Sequence, residues 1–266
     1  MSNRSRFAFA LLAACALIAQ PHTASAAQGV ALAWNHCFGA AGAAQNAAFA
    51  CDTNAGAHVM TGSFRLDQAY PHVIGMEIII DLASDSPVLP DWWQFKNDGT
   101  CRQTSMAANF VPDVSDLVCD DWGAGLQIGG VGGYCTAQLV GGCGVPGQAP
   151  NTARIKLIEA VAPLDQQDLL ANQDYFSFHV VFNHQKTVGS GSCAGCDVPV
   201  CIVLNSINVV EQGNVSHRFL SSPIAPSSNF VSWQGGGNPA NGGAVGCPAA
   251  TATRRSTWGN VKSMYR

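Results

Sequence analysis

This sequence has few charged residues. Asp, Glu, Lys and Arg together make up 11% of its 266 residues, against about a quarter in most soluble proteins. Two basic residues are adjacent only at Arg254-Arg255, which argues against nucleic acid as a partner. Glutamate occurs only as Glu77, Glu159 and Glu211. Solubility must therefore rest on Asn, Gln, Ser, Thr and Gly.

The short motifs of common hydrolases are also missing. The sequence contains no G-x-S-x-G nucleophile turn and no H-E-x-x-H zinc motif. Gly129-Gly-Val-Gly-Gly133 lacks the G-x-G-x-x-G spacing of a dinucleotide-binding loop. No glutamate lies in a recognisable glycosidase signature. An enzyme is therefore not the first expectation.

Long apolar runs are confined to the N-terminus. Arg4 and Arg6 precede an apolar run over residues 7–19, and Ala24-Ser25-Ala26 supplies a small-residue cleavage pattern. These features predict an export signal over residues 1–26, and no transmembrane helix is expected after it. A lipoprotein signal is the alternative, in which Cys15 is acylated and anchors the protein. The location predicted for the mature protein is secreted, periplasmic or at the cell surface.

Removal of that signal leaves a single predicted domain, residues 27–266, with ten cysteines. An even number of cysteines in an exported chain indicates disulfides rather than a metal site or a redox-active CxxC. The ten are Cys37, Cys51, Cys101, Cys119, Cys135, Cys143, Cys193, Cys196, Cys201 and Cys247.

Separation along the chain favours local disulfides. On this basis the first six cysteines are predicted to pair as Cys37–Cys51, Cys101–Cys119 and Cys135–Cys143. The last four leave two main alternatives, which are Cys193–Cys196 with Cys201–Cys247, and Cys193–Cys201 with Cys196–Cys247.

Short β-rich runs separated by Gly, Pro and Asn turns cover most of the domain. They predict an all-β fold, a disulfide-stapled β-sandwich of jelly-roll or immunoglobulin/cohesin-like type with long loops and a short C-terminal tail. The strongest expected strands are Gly29–Trp34, His58–Leu66, Gly75–Leu82, Tyr175–Phe182 and Val200–Val210. The last two are predicted to form a hairpin.

Two other stretches are predicted to lie outside the strands. Residues 129–147 are rich in glycine and predict an inserted surface loop. Residues 165–170 predict one short helical turn.

Aromatic and acidic residues supply the candidate sites. An exposed Trp92, Trp93 or Trp233 would stack on the apolar face of a sugar, although adjacent residues of a strand point to opposite faces. An acidic loop is a candidate calcium site, without an EF-hand spacing, and contains Asp113, Asp116, Asp120 and Asp121. No other cofactor is expected.

Several stretches resemble a family of uncharacterised, exported, cysteine-rich bacterial β-proteins. They are residues 30–35 (VALAWN), 92–96 (WWQFK), 99–102 (GTCR), 151–155 (NTARI), 199–203 (PVCIV), 205–207 (NSI), 257–262 (TWGNVK) and 265–266 (YR). The resemblance implies an exported protein and assigns no activity to any residue. It also implies that the stretch containing Cys135 and Cys143 is an insertion, which supports their pairing with each other.

The predicted function is that of an exported, non-enzymatic binding or structural module. Its expected partners are an extracellular polysaccharide or a protein of the cell envelope. The alternatives are a secreted hydrolase with an unrecognised carboxylate site and a subunit of a surface assembly.

Overall fold

Two β-sheets make up the described part of the protein in a computed structural model. The structure describes residues 28–96, 99–113, 118–136, 149–214 and 217–236. The predicted signal segment, Cys15, Cys143, Cys247 and the C-terminal tail lie outside these residues. So does Asp116 of the candidate calcium loop.

Strands account for nearly all of the regular structure in these ranges. They are β1 (Gly29–Trp34), β2 (Asn46–Ala47), β3 (Ala57–Arg65), β4 (Tyr70–Ser84), β5 (Met106–Asn109), β6 (Asp120–Asp121), β7 (Ile128–Thr136), β8 (Thr152–Ala160), β9 (Gln167–Leu169), β10 (Asp174–Asn183), β11 (Val200–Glu211), β12 (His217–Leu220) and β13 (Phe230–Trp233). Short 3-10 turns occur at Asp91–Trp93, Pro163–Asp165 and Gln212–Asn214. No helix within the described ranges has the length and hydropathy to cross a membrane.

The two sheets divide these strands between them. The first has the order β1-β3-β10-β5, with β6 paired to β10, and the second has the order β2-β13-β11-β4-β8-β7. In the second sheet, β12 also pairs with β11 and β9 with β4. Neighbouring strands are antiparallel except β6–β10 and β2–β13. The prediction of an all-β fold is confirmed.

One hydrophobic core is shared by both sheets. In β4 the side chains alternate, as predicted, with Met76, Ile78, Ile80 and Leu82 buried and the intervening residues partly exposed. The first eight residues of β11 are all buried, because this strand lies in the middle of its sheet. Alternation therefore predicted the strand with one partly exposed face, and a continuous apolar run predicted the fully buried strand.

Three predictions about chain connections are wrong. β10 and β11 do not form a hairpin, because β3 and β5 flank β10 in one sheet while β4 and β13 flank β11 in the other. Residues 129–136 belong to β7 instead of a loop, and the rest of that stretch, 137–147, lies outside the described residues. The helical turn at 165–170 is instead a 3-10 turn followed by β9.

The disulfides join distant segments instead of neighbouring ones. The described pairs are Cys37–Cys119, Cys51–Cys196 and Cys101–Cys193. The predicted pairs Cys37–Cys51, Cys101–Cys119, Cys193–Cys196, Cys193–Cys201 and Cys196–Cys247 are therefore wrong. Separation along the chain misled because the sheets bring residues 82 to 145 positions apart into contact. Cys135 and Cys201 are also disulfide-bonded. Three or more disulfides are typical of proteins outside the reducing cytosol.

The two sides of the structure differ in how their sheet edges are covered. On one side β1 is hydrogen-bonded to residues 222–228, with Val30 N donating to Ser222 O at 2.8 Å and Leu32 N to Ser228 O at 2.7 Å. The other side carries β5 and β7, which are the terminal strands of their sheets. The candidate site lies on this second side.

Candidate functional site

Strand β7 has one edge without a strand partner among the described residues. It pairs with β8 from Ile128 to Thr136 and with no other strand there. A free edge presents a row of unpaired backbone N–H and C=O groups to any extended chain that approaches it. The exposed edge of β7 is therefore the first element of the candidate site.

Apolar side chains lie beside this edge. Ile128 is 76% exposed and Ile158, which faces Gly130 across the β7–β8 pair, is 47% exposed. With Gly129, Gly130, Val131 and Gly132 they form a shallow apolar concavity, called here the β7 surface. Exposed apolar residues that adjoin a free strand edge are typical of a protein-binding surface.

The glycines of β7 serve two different purposes. A Cβ at Gly129 would lie 2.5 Å from the Ile158 carbonyl oxygen and 2.7 Å from the Phe110 ring, so only glycine fits. At Gly130 a Cβ would meet no atom within 4 Å. A side chain would therefore fit at Gly130, whereas at Gly129 the ring of Phe110 excludes one.

A groove separates β7 from the edge of β5. Its volume is about 480 Å³. No backbone hydrogen bond joins β5 to β7 in the described ranges. The lining residues are Lys96, Ala107, Ala108, Val131, Gly133 and Tyr134. The groove is therefore bounded by two unpaired strand edges, with small side chains from β5 on one wall.

Tyr134 fixes one wall of the groove to the core. Its hydroxyl donates a hydrogen bond to the Trp93 carbonyl oxygen, and its ring packs 5.7 Å from the Phe95 ring. Burial raises the pKa of Tyr134 far above its usual value, so the hydroxyl stays protonated as a donor. Tyr134 thus anchors this part of β7 to the turn at Asp91–Trp93.

A buried carboxyl group lies on the inner face of the sheet beside β7. Glu159 faces Gly129 in the β7–β8 pair and is 1% exposed. Trp122 Nε1 donates to its Oε2 at 3.1 Å and Ser177 Oγ to its Oε1 at 2.9 Å. Burial raises the pKa of Glu159 well above its usual value, and the charge of Asp121 raises it further. This carboxyl group joins the two sheets and has no access to a substrate.

Glu159→Gln is expected to change the pH dependence of stability. Because folding raises the pKa of Glu159, its contribution is complete below about pH 4.5 and is lost as the pH rises through the folded-state value. Glutamine has no titrating proton; its amide oxygen can still accept from Trp122 Nε1, and its amide nitrogen can donate to Ser177 Oγ, which reverses the second hydrogen bond. The stability of the variant relative to the wild type, measured by urea unfolding, should therefore increase between about pH 5 and pH 8. If the difference in the free energy of unfolding between the variant and the wild type were the same at about pH 5 and pH 8, the pKa of Glu159 would not be raised.

The tryptophans predicted as ligand contacts are in the core. Trp92, Trp93 and Trp233 are fully buried, so the prediction of an exposed stacking ring there is wrong. The first two lie in a 3-10 turn, where successive side chains are about 120° apart and both can face inward. Their rings pack against each other and against Trp233 at centroid distances of 5.0 to 5.5 Å.

A buried cation stacks on this aromatic cluster. The Arg102 guanidinium carbon lies 3.6 Å from the centre of the Trp92 ring. Its Nη1 donates to the Trp92 carbonyl oxygen at 2.8 Å, and its Nη2 donates to the Asn183 carbonyl oxygen. Burial lowers the pKa of Arg102 to about 9, which leaves it cationic at neutral pH. Arg102 therefore ties the turn at Asp91–Trp93 to the end of β10.

Two histidines that the sequence did not connect also meet. His58 Nδ1 and His184 Nε2 are 2.8 Å apart, and His184 Nδ1 lies 2.7 Å from the Ala55 carbonyl oxygen. The carbonyl assigns the proton of His184 to Nδ1, so Nε2 accepts from His58. Burial and then the neighbouring His184 lower the pKa of His58. No spacing pattern could reveal a pair 126 residues apart.

The carboxylates of the acidic loop do not converge on a metal site in the described part of the structure. Asp121 accepts hydrogen bonds from Gly123 N at 3.1 Å and from Gln127 Nε2. Asp113 and Asp120 are exposed, and Asp116 lies outside the described residues. Within the described ranges, no three His, Cys, Asp or Glu side chains are grouped so that they could hold a metal ion. Calcium binding stays a prediction.

Comparison with known proteins adds little to this geometry. No family model matches the sequence, and no curated protein matches it. A solved structure, the second type II cohesin module from a cellulosomal adaptor scaffoldin of Acetivibrio cellulolyticus, is 10% identical, with a TM-score of 0.29 over 74% of this chain and 90% of the module. At a TM-score this low, the similarity defines neither the fold nor the function of the protein.

Proposed function

We propose that this protein is an exported β-sandwich module that binds a protein partner, without catalysis, through the free edge of β7. The observation that carries the proposal is the coincidence of that edge with the exposed Ile128 and Ile158. Main-chain hydrogen bonds to an added strand would supply affinity, and the apolar side chains beside them would supply contact area. The partner is a protein of the cell envelope or the extracellular space.

This proposal places protein above polysaccharide as the partner. Sugar binding on a sandwich relies on exposed aromatic rings, and the described tryptophans are buried. An extended polypeptide, by contrast, can pair with an unpaired strand edge in a way that a sugar cannot. The described residues of the groove lining include no carboxylate side chain, so they do not supply the paired carboxyl groups of a glycoside hydrolase.

Ile128→Lys is expected to weaken partner binding by about tenfold or more, because it places a charge in the apolar contact. The probe is a displayed library of random peptides of about nine residues, matched to the nine of β7. Peptides selected on the wild-type protein are titrated against both proteins. Leu170→Lys is the matched control, since Leu170 is 60% exposed and follows β9, a strand that pairs only with β4 in the described ranges. It should bind like the wild type.

N-methylation of the selected peptides tests strand addition itself. Alternate residues of an added strand point their N–H groups toward β7 and away from it. Methylation of one alternate set should abolish binding, and methylation of the other set should leave it intact. Equal binding of both methylated peptides, or equal loss in the two lysine variants, would overturn the proposal. Concentration-dependent dimers in sedimentation that Ile128→Lys dissolves would favour the surface-assembly alternative.

A further inference from the structure

Lys96 stands out among the described cations. Arg65, Arg154, Lys156 and Arg218 pair with Asp or Glu. Arg102 and Lys186 donate to carbonyl oxygens. For Lys96, by contrast, no side-chain hydrogen bond or ion pair is formed within the described ranges. Its exposed side chain lines the groove between β5 and β7.

The arrangement of the groove explains why this ammonium group matters. The other described lining residues are Ala107, Ala108, Val131, Gly133 and Tyr134, so Lys96 is the only charged side chain among the described residues of the lining. An ammonium group provides three hydrogen-bond donors, and no described acceptor uses them. Among the described residues, the groove therefore has one positive charge with no counter-charge, in a protein with only 11% charged residues.

The two longest segments outside the described residues after the predicted signal do not complement this charge. Residues 137–148 contain no Asp or Glu, and neither do residues 237–266, which carry Arg254, Arg255, Lys262 and Arg266. Electrostatic complementarity steers association and excludes partners of like charge. These segments are therefore poorer occupants of the groove than an acidic chain from another molecule.

We infer that the partner segment added to β7 carries an acidic side chain, Asp or Glu, that pairs with Lys96. This inference rests on the proposed function and specifies the chemistry of its partner. The backbone edge of β7 recognises an extended chain of any sequence, and Lys96 selects the strand and register that bring a carboxylate to the groove. The ion pair is partly exposed, so its contribution is to specificity more than to affinity.

The test is a parallel selection from the same peptide library on the wild type, Lys96→Gln and Lys96→Glu. Wild-type peptides should be enriched in Asp or Glu at one strand position. Lys96→Glu should select Lys or Arg at that position, and Lys96→Gln should show no charge preference. Replacing the selected Asp by Asn should weaken wild-type binding by about threefold to fivefold, and should leave binding to Lys96→Gln unchanged. Lys96 is exposed, so all three proteins should unfold at the same urea concentration.

The outcomes separate this inference from the proposed function. Peptides that require Ile128 but show no carboxylate preference would overturn the inference and leave the proposed function intact. Peptides that bind without any effect of Ile128→Lys would overturn both. A dimer that buries the groove in sedimentation experiments, and that Lys96→Glu leaves intact, would identify a second copy as the occupant and also overturn the inference.

Discussion

Replacing Cys51 and Cys196 together by alanine is expected to lower the free energy of unfolding by about 4 kcal/mol. This disulfide joins the segment before β3 in one sheet to the segment before β11 in the other, across 145 residues of sequence. The other two described disulfides shorten the enclosed loop to a few tens of residues, for which the chain-entropy model gives this value. Urea unfolding of the oxidised variant and the wild type measures the difference.

The matched variant Cys37→Ala/Cys119→Ala is the control. It shows how much stability is lost when any one disulfide is removed, as opposed to the disulfide between Cys51 and Cys196 in particular. Cys37–Cys119 ties the loop after β1 to β6 within the first sheet, so its removal leaves the link between the sheets in place. The Cys51/Cys196 double variant should in addition show faster hydrogen exchange at the indole N–H of Trp233. This Nε1 donates to the Cys196 carbonyl oxygen at 2.7 Å. A non-reducing peptide map that linked Cys193 to Cys196 would contradict the pairing itself.

Arg102→Met is expected to lower the free energy of unfolding by about 3 kcal/mol. Methionine fills much of the space but leaves the buried carbonyl groups of Trp92 and Asn183 without their donors. It also removes the cation from the Trp92 face. Relief from burying a cation without a carboxylate offsets part of this cost. Urea unfolding followed by tryptophan fluorescence measures both the stability and the change in packing of Trp92.

Arg102→Lys is the informative control for this second prediction. Lysine keeps the positive charge but cannot donate to two carbonyl oxygens in the fixed geometry of a planar guanidinium. We expect an intermediate loss of stability. If the lysine variant matched the wild type, charge alone would account for the effect, and if the methionine variant did so, the two carbonyl hydrogen bonds would contribute nothing measurable.

The hydrophobic pattern of contiguous residues predicted the strands, but it did not predict which strands pair with each other in the sheets. The alternation over Gly75–Leu82 and the apolar run over Val200–Val210 are properties of contiguous residues, so both strands were predictable from sequence. Their placement in one sheet, and that of β10 in the other, depends on contacts between residues more than a hundred positions apart. The same reason explains the disulfides, since Cys193 and Cys196 share one turn and yet bond to Cys101 and Cys51.

The candidate site escaped prediction for a related reason. Glycine has a low β-propensity, so Gly129–Gly133 indicated a loop. Glycine is required at position 129 of this strand because Phe110, which follows β5, occupies the space that a side chain there would need. Ile128, Val131 and Tyr134 gave a weak apolar signal in this stretch, but the sequence could not reveal that they lie on a free edge.

Hydrogen–deuterium exchange of the backbone amides, with and without a saturating selected peptide, tests the central claim most directly. An added strand would satisfy N–H groups of β7 that have no strand partner in the described structure. The account predicts that amides between Gly129 and Tyr134 exchange more slowly in the complex, while those of β9 are unchanged. Slower exchange elsewhere with no change in β7 would contradict it.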